Sequence, residues 1–385
     1  MPKSTKKLRK IYLDYASSAS ANPSSIHAFG VYAKKKLEEA RKGIADILNA
    51  KSEEVLFTSG GTESNNLAIQ GIVLAWKGKN LPHIITTNIE HASVLETFKL
   101  LVKRKMAQIS IVPVEENGIV NPRKIKKEIR KNTILISVMY ANNEIGTIQP
   151  IREIAKEIRH YKKQNKINNL YFHTDGVQAV NYLNLNVEKL GVDLLSISGS
   201  KIEGSDKIGV LYKKKSVQIA PIWGGGNQEM GLRPGTENVS DILKFSFALQ
   251  SAQNIKEKEV KRLTILRDYF TNKLQHSHIL KNVGMFFNGD LENRLPNNVN
   301  ITIPKIPSDL LVIELSERGV MASAKSACKS GDDKASHVIQ AINPKAKDTD
   351  GSLRFSLGRN TTKSDIDYTV KSLCEILTKL KKWYT

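Results

Sequence analysis

The chain has 385 residues, 40% of them apolar, with 59 Lys plus Arg against 38 Asp plus Glu and a net charge of +21. That length fits two or three domains, and the apolar share can fill a packed core, which argues against a disordered chain. Only two cysteines occur, Cys328 and Cys374, with no CxxC, which argues against a disulfide framework or a structural zinc site and favours a reducing compartment.

The basic N-terminus MPKSTKKLRK leads into IYLDYASSASANPSS, where Asp14 and a run of hydroxyl residues interrupt any apolar segment, so a secretion signal is not expected. No run of about 18 apolar residues follows anywhere, which predicts no membrane span and a soluble, cytoplasmic protein. The lysines are scattered through KIKKEIRK, HYKKQNK, YKKK and KLKKW without aromatic interleaving. This pattern reads as a solvated surface, with transient tRNA contact as the weaker alternative.

From about residue 53 to 215, short runs rich in Val, Ile and Thr alternate with helical patterns. In order the runs are VLFTSG, HIITTNIEH, ISIVPVE, TILISVMYANNEIG, LYFHTDGVQAV, VDLLSISGSK and KIGVLYKKK, and IREIAKEIRHYKK is one of the amphipathic stretches between them. Such alternation predicts an α/β fold with a largely parallel sheet covered by helices, its strand ends facing a shared crevice. After GGGNQEMGLRPGTENV the pattern changes to a long charged helix, roughly SAQNIKEKEVKRLTILRDYFTNKLQ, then to short strands (VNITI, LRFSL), helices and the small-residue loop ASAKSACKSGDDKAS. The expected division is a large domain over 15–250 and a smaller α+β domain over 251–385, joined by an N-terminal strand in the 1–14 segment and carrying the cysteine loop.

Three segments carry candidate chemistry. In FTSGGTESNNLAI a strand, a glycine turn and a helix start would bring backbone N–H groups around Gly61 and the Thr62 hydroxyl to a helix N-terminus, suited to phosphate or simply to capping. In YFHTDGVQAV, Asp175 stands just past a buried strand, where a carboxylate needs a cation such as a protonated pyridine nitrogen; a helix cap would also explain it. In VDLLSISGSKIEG, Lys201 follows an apolar strand beside Ser198 and Ser200, where a lysine can lose its charge and attack a carbonyl.

Taken together these segments resemble the class-V aminotransferase superfamily and, most closely, the cysteine desulfurases. The resemblance runs in order through IYLDYA, NPSSIHAFG, FTSGGTESNNLAI, IEHASVL, YANNEIGTIQPI, HTDGVQAV, SGSKI, GLRPGTENV, SACKS, SHVI and SLRFSLG. It implies the seven-stranded large domain of fold-type-I pyridoxal 5′-phosphate enzymes and a homodimer. Lys201 would bind the cofactor, Asp175 would face its ring nitrogen, and His91 would stack on the ring and assist proton transfer. Asn142 and Gln178 would bond near the ring hydroxyl, with Asn142 also close to substrate. Gly61, Thr62, Ser198, Ser200 and the partner subunit's Thr236 would cradle the phosphate.

By the same resemblance Arg354 would hold the substrate carboxylate through its rigid fork, and Cys328, with Lys325 and Lys329 favouring its thiolate, would be the sulfur-accepting nucleophile. The amine of L-cysteine would displace Lys201 from the cofactor. The Cys328 thiolate would then take the substrate sulfur as a persulfide, leaving alanine, and would pass it to an acceptor protein for iron–sulfur cluster assembly or tRNA thiolation. Cys374 instead shares a helical face with Ile366, Val370, Leu373 and Leu377 and is expected in the core.

The chain departs from the family's pattern at Ser200, where histidine is usual, at Glu203 and Asp206 after the lysine, at Asn227 in the glycine run, and at Lys325 near Cys328. Glu203 and Asp206 are expected to point outward. Selenocysteine lyase or another class-V activity on the same scaffold is the first alternative. A degenerate protein that binds RNA or a sulfur carrier is the second.

Overall fold

The computed structural model describes residues 11–18, 21–205, 207–324, 336–346 and 350–384, with the side chains of 381–384 left aside. Seven strands come from the seven runs expected: β1 Val55–Thr58, β2 His83–Thr87, β3 Gln108–Val112, β4 Thr133–Ser137, β5 Tyr171–Asp175, β6 Leu194–Ser198 and β7 Gly209–Lys213. They form one sheet in the order β1-β7-β6-β5-β4-β2-β3. The pairs β2–β3, β2–β4, β4–β5 and β5–β6 are parallel, whereas β7 runs antiparallel to both β6 and β1. Two reversals cancel, so β1 points the same way as β2, β4, β5 and β6.

Every residue of β1, β2, β4 and β6 is buried, as expected of strands covered on both faces. Successive side chains go to opposite sides. Val55, Phe57, Ile85, Ile136, Phe172 and Leu195 enter one apolar cluster, while Leu56, Ile84, Leu135, Leu194 and Leu211 enter another. The covering helices are α1 Ala28–Leu48, α2 Gly61–Ala75, α3 Ala92–Lys103, α4 Pro122–Glu128, α5 Ile151–Asn165 and the single turn α6 Val187–Leu190.

Helix α7, Val239–His276, is 38 residues long and starts well before the expected Ser251, because Asn238 caps it by accepting from the Asp241 N–H. Its first half, Ile242 to Ala252, packs in the cluster of the large sheet; its second half, Leu263 to Leu274, packs in a third cluster with the small sheet. That antiparallel sheet has the order β10-β9-β8, from β8 Phe286–Phe287, β9 Asn298–Ile303 and β10 Gly351–Ser356. Helices α8 His278–Asn282, α9 Ser308–Ser316, α10 His337–Ile342 and α11 Lys363–Tyr384 complete the chain.

Two expectations change. Residues 11–18 form a turn and not a strand, with Asp14 accepting from the hydroxyls of Ser17 at 2.6 Å and Ser25 at 3.0 Å. Cys374 lies on the expected face of α11 but only half-buried, its Sγ 3.2 Å from the Ser277 hydroxyl at the edge of the cluster.

Candidate active site

The common direction of β1, β2, β4, β5 and β6 puts the residues that follow each of them at one edge of the sheet, where α/β folds bind ligands. Gly61 and Thr62 come from the β1 end, His91 and Ser93 from β2, Met139, Ala141 and Asn143 from β4, Asp175, Val177 and Gln178 from β5, and Ser198, Ser200 and Lys201 from β6. These residues line a cleft of about 440 Å³ that is closed from the other side by Asn297 and by Arg354 and Ser356 of β10.

At the cleft floor Asp175 is only 5% exposed. Its Oδ1 accepts from the Val177 N–H at 3.0 Å and its Oδ2 from the Asn65 amide at 2.7 Å. Among the described residues no cation lies within ion-pair distance of it. Next to it, His91 caps α3: its Nδ1 accepts from the Ser93 N–H at 3.1 Å and lies 2.8 Å from the Ser93 hydroxyl.

Helix α2 begins at Gly61, and its first turn carries the unsatisfied N–H groups and positive dipole end that suit an anion. Gly61 is needed there because a Cβ would fall 2.7 Å from Val177 Cγ2 and 3.3 Å from Ser198 Cβ. The Ser198 and Ser200 hydroxyls lie 2.9 Å apart beside it. Lys201, in the turn after β6, lines the cleft and is open to solvent in the single chain; its carbonyl accepts from the Asn181 amide. Tyr182, pushed up to about 12 by burial and by Glu259, stays a neutral phenol.

Arg354 donates from one terminal nitrogen to the Asn143 carbonyl at 3.0 Å and from the other to the Ser323 hydroxyl at 3.1 Å, while its Nε has no partner. Burial draws the guanidinium below its usual range, opposed by Glu144.

Of the expected residues, Lys201, Asp175, Gln178, His91, Gly61, Thr62, Ser198, Ser200 and Arg354 share the cleft. Asn142 does not. Its amide donates to the Ile89 carbonyl at 2.9 Å and its Oδ1 accepts from the N–H groups of Glu144 and Ile145, so it braces the turn and its neighbour Asn143 faces the cleft. Thr236 is exposed on the loop before α7, away from this chain's own cleft. Cys328, Lys325 and Asp206 lie outside the described residues. Glu203 does point outward, 3.2 Å from Arg359. Asn65, Ser93, Asn181, Tyr182 and Asn297 went unnoticed in the sequence; only Asn65 left a trace there, one turn after Thr62 on α2.

The family model for class-V aminotransferases matches residues 2–369. The chain belongs to the class-V aminotransferase family. It is 44% identical to cysteine desulfurase IscS of Dictyoglomus turgidum over 97% of this chain and 96% of that one. It is 42% identical to cysteine desulfurase IscS of Methanosarcina thermophila, over 98% and 90% respectively. Among solved structures, a NifS-like protein superposes with a TM-score of 0.83 at 34% identity, covering 94% of this chain and 92% of its own. SspA in complex with cysteine gives 0.71 at 30% identity, covering 88% and 90%.

Enzymes of this family depend on pyridoxal 5′-phosphate, and this chain is one of them. Its residues fit the group: among the described residues a buried carboxylate with no cation of its own faces the cleft, and buried Oδ1 atoms of Asn65, Asn181 and Asn297 and Nε of Arg354 stand without partners around the same cleft. Unpaired polar atoms are costly inside a protein, and here they are concentrated where a polar ligand would sit.

Proposed function

We propose that this enzyme removes sulfur from free L-cysteine, releasing alanine and leaving a persulfide on Cys328, and that it works as a homodimer. The observation that carries the reading is the meeting of Lys201, His91, Arg354 and the unpaired Asp175 carboxylate in one cleft. The relatives named cysteine desulfurase and the cysteine complex of SspA support the choice of substrate.

Lys201 would hold pyridoxal phosphate through its side-chain amine, with the phosphate at the first turn of α2 against Thr62, Ser198 and Ser200 and the ring nitrogen against Asp175. When bound there, the cofactor supplies an electron sink for the substrate Cα. Asp175 would hold a proton at the ring nitrogen, the state in which that sink is strongest. Arg354 would bind the substrate carboxylate and so orient Cα towards Lys201. With its amine free, Lys201 Nζ would carry a proton to and from the substrate Cα, and the N–H at His91 Nε2 would be available for a second transfer. The stoichiometry closes without an oxidant: cysteine and the Cys328 thiol give alanine and the Cys328 persulfide, from which an acceptor thiol takes the outer sulfur.

Several features support a dimer. Thr236 is exposed, as a residue serving a partner's phosphate site must be, and Tyr15, Phe29, Tyr32, Trp223 and Met230 leave large apolar surfaces open in the single chain. The net charge of +21 would favour an acidic sulfur acceptor in the cytoplasm, for cluster assembly or tRNA thiolation, and leaves room for transient tRNA contact. We place the domain division at 15–250 and 251–385 with 1–14, the α7 helix running through it.

The test is incubation with L-cysteine followed by intact-mass analysis and alanine measurement. The expected result is one added sulfur and stoichiometric alanine in the wild type, no added sulfur in Cys328→Ser, and a colourless Lys201→Ala. Alanine formed without any adduct in the wild type would refute the persulfide route.

A further inference from the structure

The Asn65 side chain is spent in an unusual way. It lies in the first turns of α2, 1% exposed, and its Nδ2 donates to Asp175 Oδ2 at 2.7 Å and to Ser93 Oγ at 2.8 Å. An amide nitrogen has two protons, and both are used. The Ser93 hydroxyl, accepting from Asn65, has one proton to give, and His91 Nδ1 stands 2.8 Å away to receive it. The same Nδ1 also accepts from the Ser93 N–H at 3.1 Å. A ring nitrogen that accepts twice carries no proton, so the neutral imidazole bears its N–H on Nε2.

The other half of the amide makes no bond: Asn65 Oδ1 is buried without a partner. Flipping the group is no remedy, because the carbonyl oxygen would then face a carboxylate that can only accept. A buried, unsatisfied carbonyl is destabilising, and an apolar side chain of the same shape would avoid it. Position 65 therefore carries its amide for the two protons, at a cost to packing.

We infer that Asn65 is a positioning residue that holds the Asp175 carboxylate in register for the cofactor's ring nitrogen and, by orienting the Ser93 hydroxyl, reinforces the Ser93 N–H in keeping the proton of His91 on Nε2. The inference rests on the reading of Asp175 given above. Its contribution is indirect: Asn65 orients the group that meets the ring and the group that moves protons beside it.

The near-isosteric Asn65→Leu and the half-way break Ser93→Ala separate this role from plain packing. The whole enzyme is stripped of cofactor, then titrated with pyridoxal phosphate by absorbance, and unfolding of the cofactor-free form is followed by heat. Asn65→Leu should weaken cofactor binding roughly ten- to a hundredfold, the scale of one hydrogen bond to a charged group. It should also shift the absorbance band of the lysine-bound cofactor and lower the unfolding temperature of the stripped protein by no more than a few degrees, since the unsatisfied Asn65 Oδ1 is removed along with the two Nδ2 bonds. Ser93→Ala should bind the cofactor within about twofold of wild type and lower turnover without loss of substrate affinity, since only the hydroxyl contact to His91 is cut while the residue-93 N–H still donates to its Nδ1.

Cofactor affinity and spectrum unchanged in Asn65→Leu would overturn the inference, as would an affinity loss that merely follows a collapse in unfolding temperature. A wild type that takes up no cofactor would instead overturn the reading of the whole cleft, and this inference with it.

Discussion

Glu229 and Asp175 are both buried carboxylates in segments that follow a strand, and the protein surrounds them in opposite ways. Glu229 receives Arg41 through two parallel bonds of 2.7 and 2.8 Å, and the Phe57 N–H adds a third at 2.8 Å. Arg41 in turn donates to the Val55 carbonyl and lies 4.8 Å above the Phe57 ring. Asp175 has two uncharged donors and an open cleft. The first arrangement is complete within the chain and closes the loop that leads to Thr236, whose Glu229 and Met230 sit at φ 45° and 60°, in the left-handed region that non-glycine residues avoid. A clamp of this kind offsets such strain. In the function proposed above the second arrangement would be completed by the cofactor's ring nitrogen, so that the two carboxylates contrast a charge paired within the chain with one reserved for a ligand.

The sharpest way to break the comparison is to neutralise each carboxylate in turn. Glu229→Gln leaves Arg41 buried without its counter-charge and should cost about 3–5 kcal/mol of stability, read as a lower denaturation midpoint. Asp175→Asn should barely move that midpoint. It should raise the dissociation constant for pyridoxal phosphate a hundredfold or more, a loss of about 3 kcal/mol, because only the ligand-bound state loses an ion pair. Equal effects of the two substitutions on stability would erase the distinction between them.

A smaller effect tests the far wall of the cleft. Arg354 holds its place through Asn143 and Ser323 and keeps its Nε unpartnered. Lysine at this position keeps the charge but loses the fork, so Arg354→Lys should raise KM for L-cysteine about tenfold, some 1.4 kcal/mol, with kcat less affected. An unchanged KM would remove Arg354 from the substrate site.

The sequence pattern carried the large sheet well and individual side-chain directions less well. All seven strands were legible because strands buried on both faces are short, β-branched runs bounded by turns. The antiparallel course of β7 left no such mark, since a buried strand has the same composition in either direction. The start of α7 was hidden because Val239 to Gln250 follow a glycine-rich loop, and the capping role of Asn238 is evident only once the loop is placed. Within YANNEIG two identical amides stand side by side, and only the turn they make decides that Asn142 turns inward to brace Glu144 and Ile145 while Asn143 faces the cleft. Asn65 was missed for a related reason: its importance lies in bonds to Asp175 and Ser93, 110 and 28 residues away.

A third buried carboxylate gives the mildest test. Glu90 precedes His91, accepts from the Thr87 hydroxyl at 2.6 Å and from the Met139 N–H at 2.9 Å, and has no cation among the described residues. Burial lifts its pKa from 4.5 to about 8, so at neutral pH it is mostly an uncharged acid. Where Glu229 is paired with Arg41 and Asp175 has only uncharged donors, Glu90 keeps its proton. Between about pH 4.5 and 8 the folded chain retains that proton while the unfolded chain has released it, so stability falls as pH rises through this window. The slope from this one group approaches about 1.4 kcal/mol per pH unit. Glu90→Gln mimics the protonated form and should change stability little near pH 5, yet flatten the decline towards pH 8. Denaturation midpoints measured across that range check it: parallel curves for wild type and variant would mean that Glu90 is ionised in the folded protein, with a cation nearby to hold it.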